Sequence, residues 1–300
     1  MKDEHFIKGI YQSKEYLVAL NATGEKIIDV SDGFFCIERA INLPGFGRKK
    51  ILEGRGNPNE KDIRLLKERA KKYFYVTIMP CVVSSKLESF EKEKYRKTAN
   101  HTILIDLKKT EDELWKALDK GSIRWGVNYA KKSGLIFEKS NKIDEFYELY
   151  LNTAKEGGFT PESKEFISSL ISSDVAKLFL INKDKKVVAG GMILIDKENN
   201  YSILDLTSSS EEGMKLQAMP FLYWNFILYS KSLGLSYFDI GGYDNEAREG
   251  EKTWNINKFK NRFGGEIREQ PIYSNNWKYG FLRSILKRFR FMKGWYHKSK

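Results

Sequence analysis

Apolar residues recur with two different periods along this chain, and the periods predict alternating strands and helices. Short apolar, β-branched runs predict strands at residues 16–20, 26–30, 34–41, 50–54, 73–79, 102–107 and 135–138. Repeats near 3.6 residues predict helices at residues 60–72, 110–118, 123–132, 143–156 and 164–172. The alternation indicates an α/β (α+β) protein in which helices flank mixed sheets.

Residues 176–242 give the most informative order of elements. We predict strands at 176–182, 187–195 and 201–207, a loop at 208–217, a helix at 218–232 and a strand at 237–240 that ends in Gly241 and Gly242. This order is similar to the core of GNAT-like N-acyltransferases. In that fold a glycine-rich loop before the central helix usually binds the CoA pyrophosphate.

The corresponding loop of this chain is a poor match to a CoA site. It has one glycine, Gly213, together with two acids and one lysine. The acids repel phosphates, so CoA binding is not expected. In a second interpretation its serines merely cap the following helix. After strand 237–240 we predict a polar loop at 243–257, of a length often found in functional lids.

Several segments resemble, in the same chain order, the FemAB/FemX family of aminoacyltransferases that build peptidoglycan cross-bridges. They are EGRG at 53–56, TILIDL at 102–107, the segment around Arg124, LQAMPFLYW at 216–224, YFDIGG at 237–242 and NKFKNRFGG at 257–265. The resemblance covers about residues 50–270. It implies two tandem GNAT-like domains, which we expect at 1–105 (acceptor side) and 106–270 (acyl transfer), followed by a basic amphipathic C-terminal tail at 271–300.

The resemblance also implies a reaction. The donor would be aminoacyl-tRNA, with no further cofactor, and the acceptor an amine of a UDP- or lipid-linked muropeptide. An amine attacks an activated ester directly, so neither a Ser nor a Cys nucleophile is needed. Lys260 matches the family's functional lysine, which would stabilise the oxyanion or a tRNA phosphate. The carbonyl of Phe259 would accept the proton of the amine. Alternatively, Lys260 is an ordinary surface lysine on a strand.

Further candidates surround these two residues in the sequence. Asp239 either orients the amine or fixes the glycine turn that follows it, and both interpretations stay open. Tyr243 is expected to face the cleft, and Arg55 and Arg124 to bind a diphosphate through bidentate hydrogen bonds. For Arg124 a surface ion pair is equally open. The remaining candidates for substrate contact are Gly241, Gly242, Thr207, Ser208, Lys215 and Arg262.

The positive charge is concentrated at the C-terminus. The chain has 52 Lys and Arg against 40 Asp and Glu, for a net charge of +12. Residues 270–300 contain eight of the basic residues and no acid. There, Phe281, Ile285, Phe289 and Met292 share one helical face. Such a helix favours an anionic membrane, contacted through residues 278–300, but binding to nucleic acid or docking on the protein's own core stays open.

Other features narrow the location and the class. No apolar run reaches the ~18 residues of a membrane span, and the charged N-terminus lacks a secretory signal. Two cysteines and three scattered histidines predict neither a disulfide framework nor a metal site. We therefore expect a cytoplasmic, peripherally membrane-associated monomer. The rival functions are a GNAT-type N-acyltransferase that uses acyl-CoA on a polysaccharide or small amine, and a non-catalytic binding module.

Overall fold

The computed structural model describes residues 9–31, 33–43, 47–81 and 88–288. The chain divides into two compact units: unit 1 (residues 1–100 and 269–300) and unit 2 (residues 101–268). These divisions differ from the boundaries expected after residues 105 and 270. The strand at 101–106 pairs within the sheet of unit 2, whereas the strand at 272–274 pairs within the sheet of unit 1.

Three α-helices and five strands make up most of the described part of the first hundred residues. After a 3₁₀ turn at Ile10–Gln12 come α1 (Lys14–Ala22), β1 (Lys26–Ser31), β2 (Phe34–Leu43), β3 (Gly47–Arg55), α2 (Glu60–Arg69, extended by a 3₁₀ turn at Ala70–Lys72), β4 (Val76–Met79), the short α3 (Glu88–Lys92) and β5 (Arg96–Thr98).

Unit 2 then begins with a strand, and the chain returns to unit 1 at its end. The elements are β6 (His101–Asp106), α4 (Glu111–Ala117), a π-helical turn (Lys120–Arg124), α5 (Trp125–Lys132), β7 (Ile136–Lys139), α6 (Ile143–Gly157), α7 (Lys164–Ser172), β8 (Ala176–Lys183), β9 (Lys186–Asp196), β10 (Tyr201–Ser209), α8 (Glu211–Lys215), α9 (Ala218–Ser232), β11 (Tyr237–Tyr243), α10 (Lys252–Asn261), β12 (Glu266–Glu269), β13 (Ile272–Ser274) and α11 (Lys278–Arg288).

The sheet of unit 1 has the strand order β1-β2-β3-β4-β13-β5, and β3 and β4 are parallel. Helix α2 covers it with Ile63 and Leu66, which are fully buried against Phe34 and Leu52. The prediction of a strand at 16–20 is wrong, because this segment is part of α1. Ser13 caps that helix by accepting a hydrogen bond from the backbone N–H of Tyr16 (3.1 Å).

The sheet of unit 2 has the order β12-β6-β11-β10-β9-β8-β7, with β10 and β11 parallel. Helix α9, predicted at these same residues, packs on the central strands β9, β10 and β11. Its side chains are buried on most sides, including those of Leu222, Trp224 and Phe226. A helix that is apolar all around fits a position inside a domain core. The core of unit 2 is therefore centred on α9.

The predicted loop at 208–217 is wrong in part. Strand β10 continues to Ser209, which pairs with Ala189 on β9, and α8 follows after one residue. The hydroxyl of Ser210 caps α8 by accepting from the backbone N–H of Gly213 (3.1 Å). A β-carbon on Gly213 would lie 2.3 Å from the carbonyl oxygen of Val188. The glycine thus allows α8 to approach β9 closely.

Helix α11 docks on unit 1 with a different face from the predicted one. Tyr279 and Leu282 pack against a small cluster that includes Ile41 and Tyr75, and the rings of Tyr75 and Tyr279 meet edge to face at 5.4 Å. Phe281, predicted on the apolar face with Ile285, is 54% exposed. The other two members of that face, at positions 289 and 292, lie outside the described residues. No helix within the described ranges is long and apolar enough to cross a bilayer.

We expect Gly213→Ala to lower the free energy of unfolding by about 1–3 kcal/mol, because the added methyl group overlaps the carbonyl oxygen of Val188. Urea denaturation measures the change. Gly121→Ala is the matched control, since the nearest atom to its new β-carbon is 4.0 Å away. Equal stability of the two variants would contradict the close packing of α8 on β9.

Candidate functional site

The candidate site lies in unit 2, where two parallel strands separate. β11 pairs with β10 only from Tyr237 to Asp239, opposite Tyr201 to Ile203. Beyond that point β10 stays with β9 as far as Ser209, whereas β11 stays with β6. Among the described residues, the backbone edge of β10 that faces β11 therefore has no strand partner beyond Ile203. Such a fork gives an extended ligand access to the middle of a sheet.

Asp239 is buried at the fork, with 3% of its surface exposed. Its carboxylate accepts hydrogen bonds from the hydroxyl of Thr102 and from the backbone N–H of Gly241 (2.7 Å). Burial raises the pKa of Asp239 to about 6, and the two hydrogen bonds and the charge of Lys260 hold it down to that level. The bond to Gly241 gives Asp239 a structural role. The predicted role in orienting an amine stays a prediction.

A β-bulge follows Asp239 directly. Asp239 pairs with Leu104 on β6, but Gly242 pairs with Thr102, so that Ile240 and Gly241 together face Ile103. Gly241 has a φ of +89°, a conformation that only glycine adopts without strain. The bulge therefore requires the glycine, and it changes the direction of the end of β11. The strand was predicted to end at Ile240, but β11 continues to Tyr243.

Lys260 reaches the same bulge from α10. Its Nζ donates a hydrogen bond to the carbonyl oxygen of Gly242 (3.0 Å) and lies 3.5 Å from where a β-carbon on Gly241 would be. Burial lowers the pKa of Lys260 below its ordinary value, and the nearby charge of Asp239 opposes this shift. The sequence-based alternative, a surface lysine on a strand, is wrong: Lys260 is partly buried on a helix. The structure thus brings together Asp239, Gly241, Gly242 and Lys260.

Helix α10 is tied to the end of β11 by two asparagines. The buried side chain of Asn257 donates to the carbonyl oxygen of Asp244 (2.7 Å) and accepts from the Asp244 N–H (3.3 Å). Asn261 donates to the hydroxyl of Tyr243 (3.3 Å). Because α10 begins at Lys252, the prediction of a loop through residue 257 is wrong over its last part. These contacts fix the position of Lys260.

Phe259 anchors the opposite side of α10. Its ring meets those of Tyr223 and Phe263 edge to face, each at 5.2 Å. The carbonyl oxygen of Phe259 accepts from the backbone N–H of Arg262 (3.3 Å) in the last turn of the helix. In the predicted proton transfer, this carbonyl oxygen would therefore accept a second hydrogen bond, from the amine.

A pocket of 580 Å³ opens on the other face of α10. Its walls include Tyr243 and Asp244 from the end of β11 and Trp254, Lys258 and Arg262 from α10 and its C-terminus. Lys258 Nζ lies 4.8 Å from the centre of the Trp254 ring. The pocket adjoins the Lys260 site through Tyr243, the residue after Gly242. It can hold part of a substrate that has both a planar or apolar group and an anionic group.

Arg124 and Arg262 act on one carboxylate. Asp119, in the wall of the pocket, accepts from the Ser122 hydroxyl and from the Ser122 N–H (2.8 Å), and these bonds, with the charges of Arg262 and Arg124, lower the pKa of Asp119. The Nε of Arg124 is buried without a hydrogen-bond partner in the described part of the chain. The structure therefore brings two predicted cations to the pocket side of unit 2.

Thr207 lies on β10 as predicted, and Ser208 also lies on β10 rather than in the predicted loop. The hydroxyl of Ser208 is buried and hydrogen-bonded to Thr153 (2.6 Å), which gives it a structural partner. Thr207 is hydrogen-bonded to the buried hydroxyl of Tyr223, whose pKa burial raises to about 12. Thr207 lies beyond the point where β10 and β11 separate, so it can face a ligand at the fork.

The turn that precedes α9 uses much of its backbone internally. The N–H of Ser210 donates to Val188 (2.9 Å), the N–H of Gly213 to the hydroxyl of Ser210 and the N–H of Met214 to the carbonyl of Ser210 (2.9 Å). Glu211 and Glu212 occupy the first turn of α8, and Lys215 is exposed at its end. These groups do not form the open row of N–H donors that a pyrophosphate requires.

Arg55 is the one site residue expected from the sequence that lies outside unit 2. It ends β3 in unit 1, and its guanidinium lies 5.0 Å from the centre of the Tyr11 ring. The EGRG segment precedes α2 as the resemblance implies. Its predicted contact with a diphosphate stays a prediction.

Sequence reasoning missed Thr102, Asp119, Trp254, Asn257 and Lys258. Thr102 is 137 positions from Asp239, and no local pattern connects them. The positions on α10 had a usable signal, because residues 254, 257, 258 and 261 repeat with the spacing of one helical face. That signal was lost when the segment was assigned to a loop.

No family model matches the sequence, and no curated protein matches it. Among solved structures, the chain is similar to FemX, with a TM-score of 0.70 and 14% identity over 94% of this chain and 96% of that one. It is also similar to the C-terminal domain of a putative lysylphosphatidylglycerol synthetase from Agrobacterium fabrum (TM-score 0.68, 14% identity, 97% and 96% covered) and to L-PGS from Bacillus licheniformis (0.62, 14%, 91% and 94%). The FemX-like fold of two tandem GNAT-like units, expected from the sequence, is confirmed.

Lys260→Met is expected to raise the pKa of Asp239 above about 6, because the charge of Lys260 stabilises the ionised carboxylate. The carboxyl ¹³C shift of Asp239, followed by NMR from pH 4 to 9, gives the value. Lys258→Met is the control, since Lys258 lies on the same helix but does not act on Asp239. If Asp239 titrated alike in the Lys260→Met variant and the unmodified protein, the coupling would be refuted.

Proposed function

We propose that this protein is an aminoacyltransferase that moves an amino acid from aminoacyl-tRNA to an amine of a UDP- or lipid-linked peptidoglycan precursor. The observation that carries the proposal is the pairing of Lys260 with the bulge of β11, beside the buried Asp239, at the strand fork of a FemX-like fold. The donor and acceptor classes come from the sequence motifs that resemble the FemAB/FemX family.

The reaction requires little chemistry from the protein. The acceptor nitrogen forms a bond to the ester carbonyl carbon, the bond from that carbon to the ribose oxygen breaks, and the released hydroxyl takes up a proton. Negative charge develops on the carbonyl oxygen during this step. The ammonium group of Lys260, held by Gly242 and by α10, is suited to stabilise that charge because it is already oriented.

Two groups of unit 2 are candidates for a part in proton transfer. Asp239, with a pKa of about 6, is largely ionised near neutral pH and can attract and orient the acceptor ammonium. The carbonyl oxygen of Phe259 can accept a hydrogen bond from the amine as it loses its proton. Apart from its two chain neighbours, no described atom lies within 4 Å of where a β-carbon on Gly242 would be, which leaves room for an amine at the bulge.

Two observations favour direct attack from an RNA ester over other acyl donors. The turn before α9 directs its N–H groups inward and carries two glutamates, which disfavours CoA. Cys36 and Cys81 are both buried in unit 1. Burial raises the pKa of Cys36 far above its ordinary value, so its thiol is a poor nucleophile.

The pocket beside α10 suits the anionic part of a substrate. No ion pair forms between the guanidinium of Arg262, or the ammonium of Lys258, and an acid in the described part of the chain. Both cations are therefore available to a phosphate, with Arg262 offering bidentate geometry. Arg124 extends this positive surface. Arg55 and Lys215 remain candidates for other phosphate groups.

We further propose that α11 brings the protein to an anionic membrane, where lipid-linked precursors lie. Trp277 and Phe281 are 56% and 54% exposed, and their rings meet edge to face at 5.5 Å. The surrounding C-terminal sequence is basic and lacks acids. Exposed aromatic rings next to cations are typical of helices that bind at a lipid interface. The name of one structural neighbour, a putative lysylphosphatidylglycerol synthetase, gives phosphatidylglycerol as a second acceptor to test.

A transfer assay with labelled aminoacyl-tRNA and a mixture of UDP-linked and lipid-linked muropeptides, with phosphatidylglycerol in a separate reaction, tests the function. We expect label in a muropeptide fraction. Lys260→Met should lower kcat about 100-fold or more, because an oriented charge at the oxyanion is lost. Lys186→Met, in an exposed ion pair with Glu212, is the control and should keep full activity.

Three outcomes of that assay decide between acceptors and donors. Label only in phosphatidylglycerol would replace the acceptor. Label in no fraction, with all 20 amino acids represented, would refute aminoacyl-tRNA as the donor and direct the search to acyl-CoA. Full activity of Lys260→Met would refute the assigned role of the lysine.

We expect the double variant Trp277→Ala/Phe281→Ala to bind vesicles of phosphatidylglycerol about tenfold more weakly, because two interfacial aromatic side chains are lost. Flotation measures bound protein. Phe159→Ala removes a ring that is 47% exposed in unit 2 and should leave binding unchanged. Equal binding by the double variant and the unmodified protein would contradict the proposed contact.

A further inference from the structure

Helix α5 has one face that packs on the core of unit 2 and one that does not. Gly126, Val127 and Ala130 are buried. A β-carbon on Gly126 would lie 3.1 Å from the ring of Pro220, so the glycine allows α5 to approach α9 closely. The opposite face carries Trp125 and Tyr129, which are 53% and 40% exposed. An exposed tryptophan next to an exposed tyrosine is unusual on a face that has no folding role.

The two rings form a stack. Their centres are 5.3 Å apart and their planes differ by 21°. They are four residues apart on the helix, so the backbone holds them in line. One face of each ring packs against the other ring, and a flat ligand can extend the stack. Among the exposed aromatic side chains of the described residues, Trp277 and Phe281 instead meet edge to face, at 70°.

The segment that carries this stack is positively charged, although Asp119 directly precedes it. The segment from residue 120 to 132 contains four cations and no acid. Lys120, Lys131 and Lys132 are exposed. Arg124, directly before Trp125, has its Nε buried without a partner in the described structure. Arg124 also acts on Asp119 in the wall of the pocket, so this surface continues towards the candidate site.

We propose that the exposed face of α5 binds the single-stranded end of an RNA, with a base stacked on Trp125 and Tyr129 and the phosphates held by the neighbouring cations. Base stacking on aromatic rings combined with a cationic track is the general physical basis of single-strand binding. A membrane would favour a deeper apolar surface, and a protein partner would not require four cations without an acid. The inference rests on the proposed function for the source of the RNA, the tRNA donor.

Binding of labelled, uncharged tRNA, measured by fluorescence anisotropy, tests this surface without the reaction. We expect Trp125→Ala to bind at least about tenfold more weakly, since one stacked base is lost. Trp125→Phe should recover most of the affinity, because stacking needs only a flat ring. Phe159→Ala is the matched control and should bind as the unmodified protein does. Circular dichroism melts establish that each variant is folded.

Transfer kinetics separate this proposal from the proposed function. Trp125→Ala should raise KM for full-length aminoacyl-tRNA and leave kcat unchanged, because the ring would contribute to binding of the RNA and not to the reaction of the ester. If Trp125→Ala bound tRNA as tightly as the unmodified protein while transfer proceeded normally, the surface would be refuted and the function would stand. If the unmodified protein neither bound tRNA nor transferred an amino acid from it, both the RNA-binding surface and the proposed function would be refuted. Dimer dissociation in Trp125→Ala, detected by sedimentation, with unchanged tRNA binding would reassign the face to self-association.

Discussion

The candidate site depends on a carboxylate that is kept in the interior of unit 2. Burying an ionised Asp without partners costs several kcal/mol. Asp239 is compensated by the hydroxyl of Thr102, by the N–H of Gly241 and by the charge of Lys260. Each partner comes from a different element, so the carboxylate connects β6, the bulge of β11 and α10. A pKa of about 6 indicates that this compensation is incomplete.

The β-bulge in β11 determines the shape of the candidate site around this carboxylate. Gly241 at φ +89° turns the end of β11 towards α10, where Gly242 meets Lys260 and Asp244 meets Asn257. The separation of β10 from β11 at the same level opens space beside these groups. The same hydrogen bonds that fix the backbone therefore hold a cation and an acid at an accessible fork. Stability and proposed chemistry use the same few contacts.

The two parts of unit 2 that approach the site differ in character. The face of α10 that packs inward is aromatic, with Phe259 against Tyr223, whereas its other face carries Trp254 and Lys258 and lines the pocket. Helix α5 repeats this division, with small residues inward and a stacked aromatic pair outward. In both helices the outward face combines aromatic rings with cations. This combination suits ligands that contain bases and phosphates.

The order of strands and helices from β6 to β11, apart from the short α8, follows from the sequence alone, as do the extent of α9 and the FemX-like fold. Strong local signals explain this success, such as the cap at Thr110 and the apolar run of α9. Local patterns failed at α1, where an apolar run becomes helical behind the cap at Ser13, and at α10, a polar segment held by Asn257. The alternative in which Phe281 docks on the protein's own core is also wrong, because Phe281 is exposed.

Only the tertiary structure decided which residues meet. Thr102 and Asp239 lie in distant segments, and their contact follows from the register of β6 and β11. Arg262 and Asp119 are also far apart in the sequence, as are Tyr279 and Tyr75. Local patterns determine periodicity and hence elements, because these depend on neighbours along the chain. Strand pairing and helix packing bring together groups with no sequence relation, and they alone fix the burial that sets the pKa of Asp239.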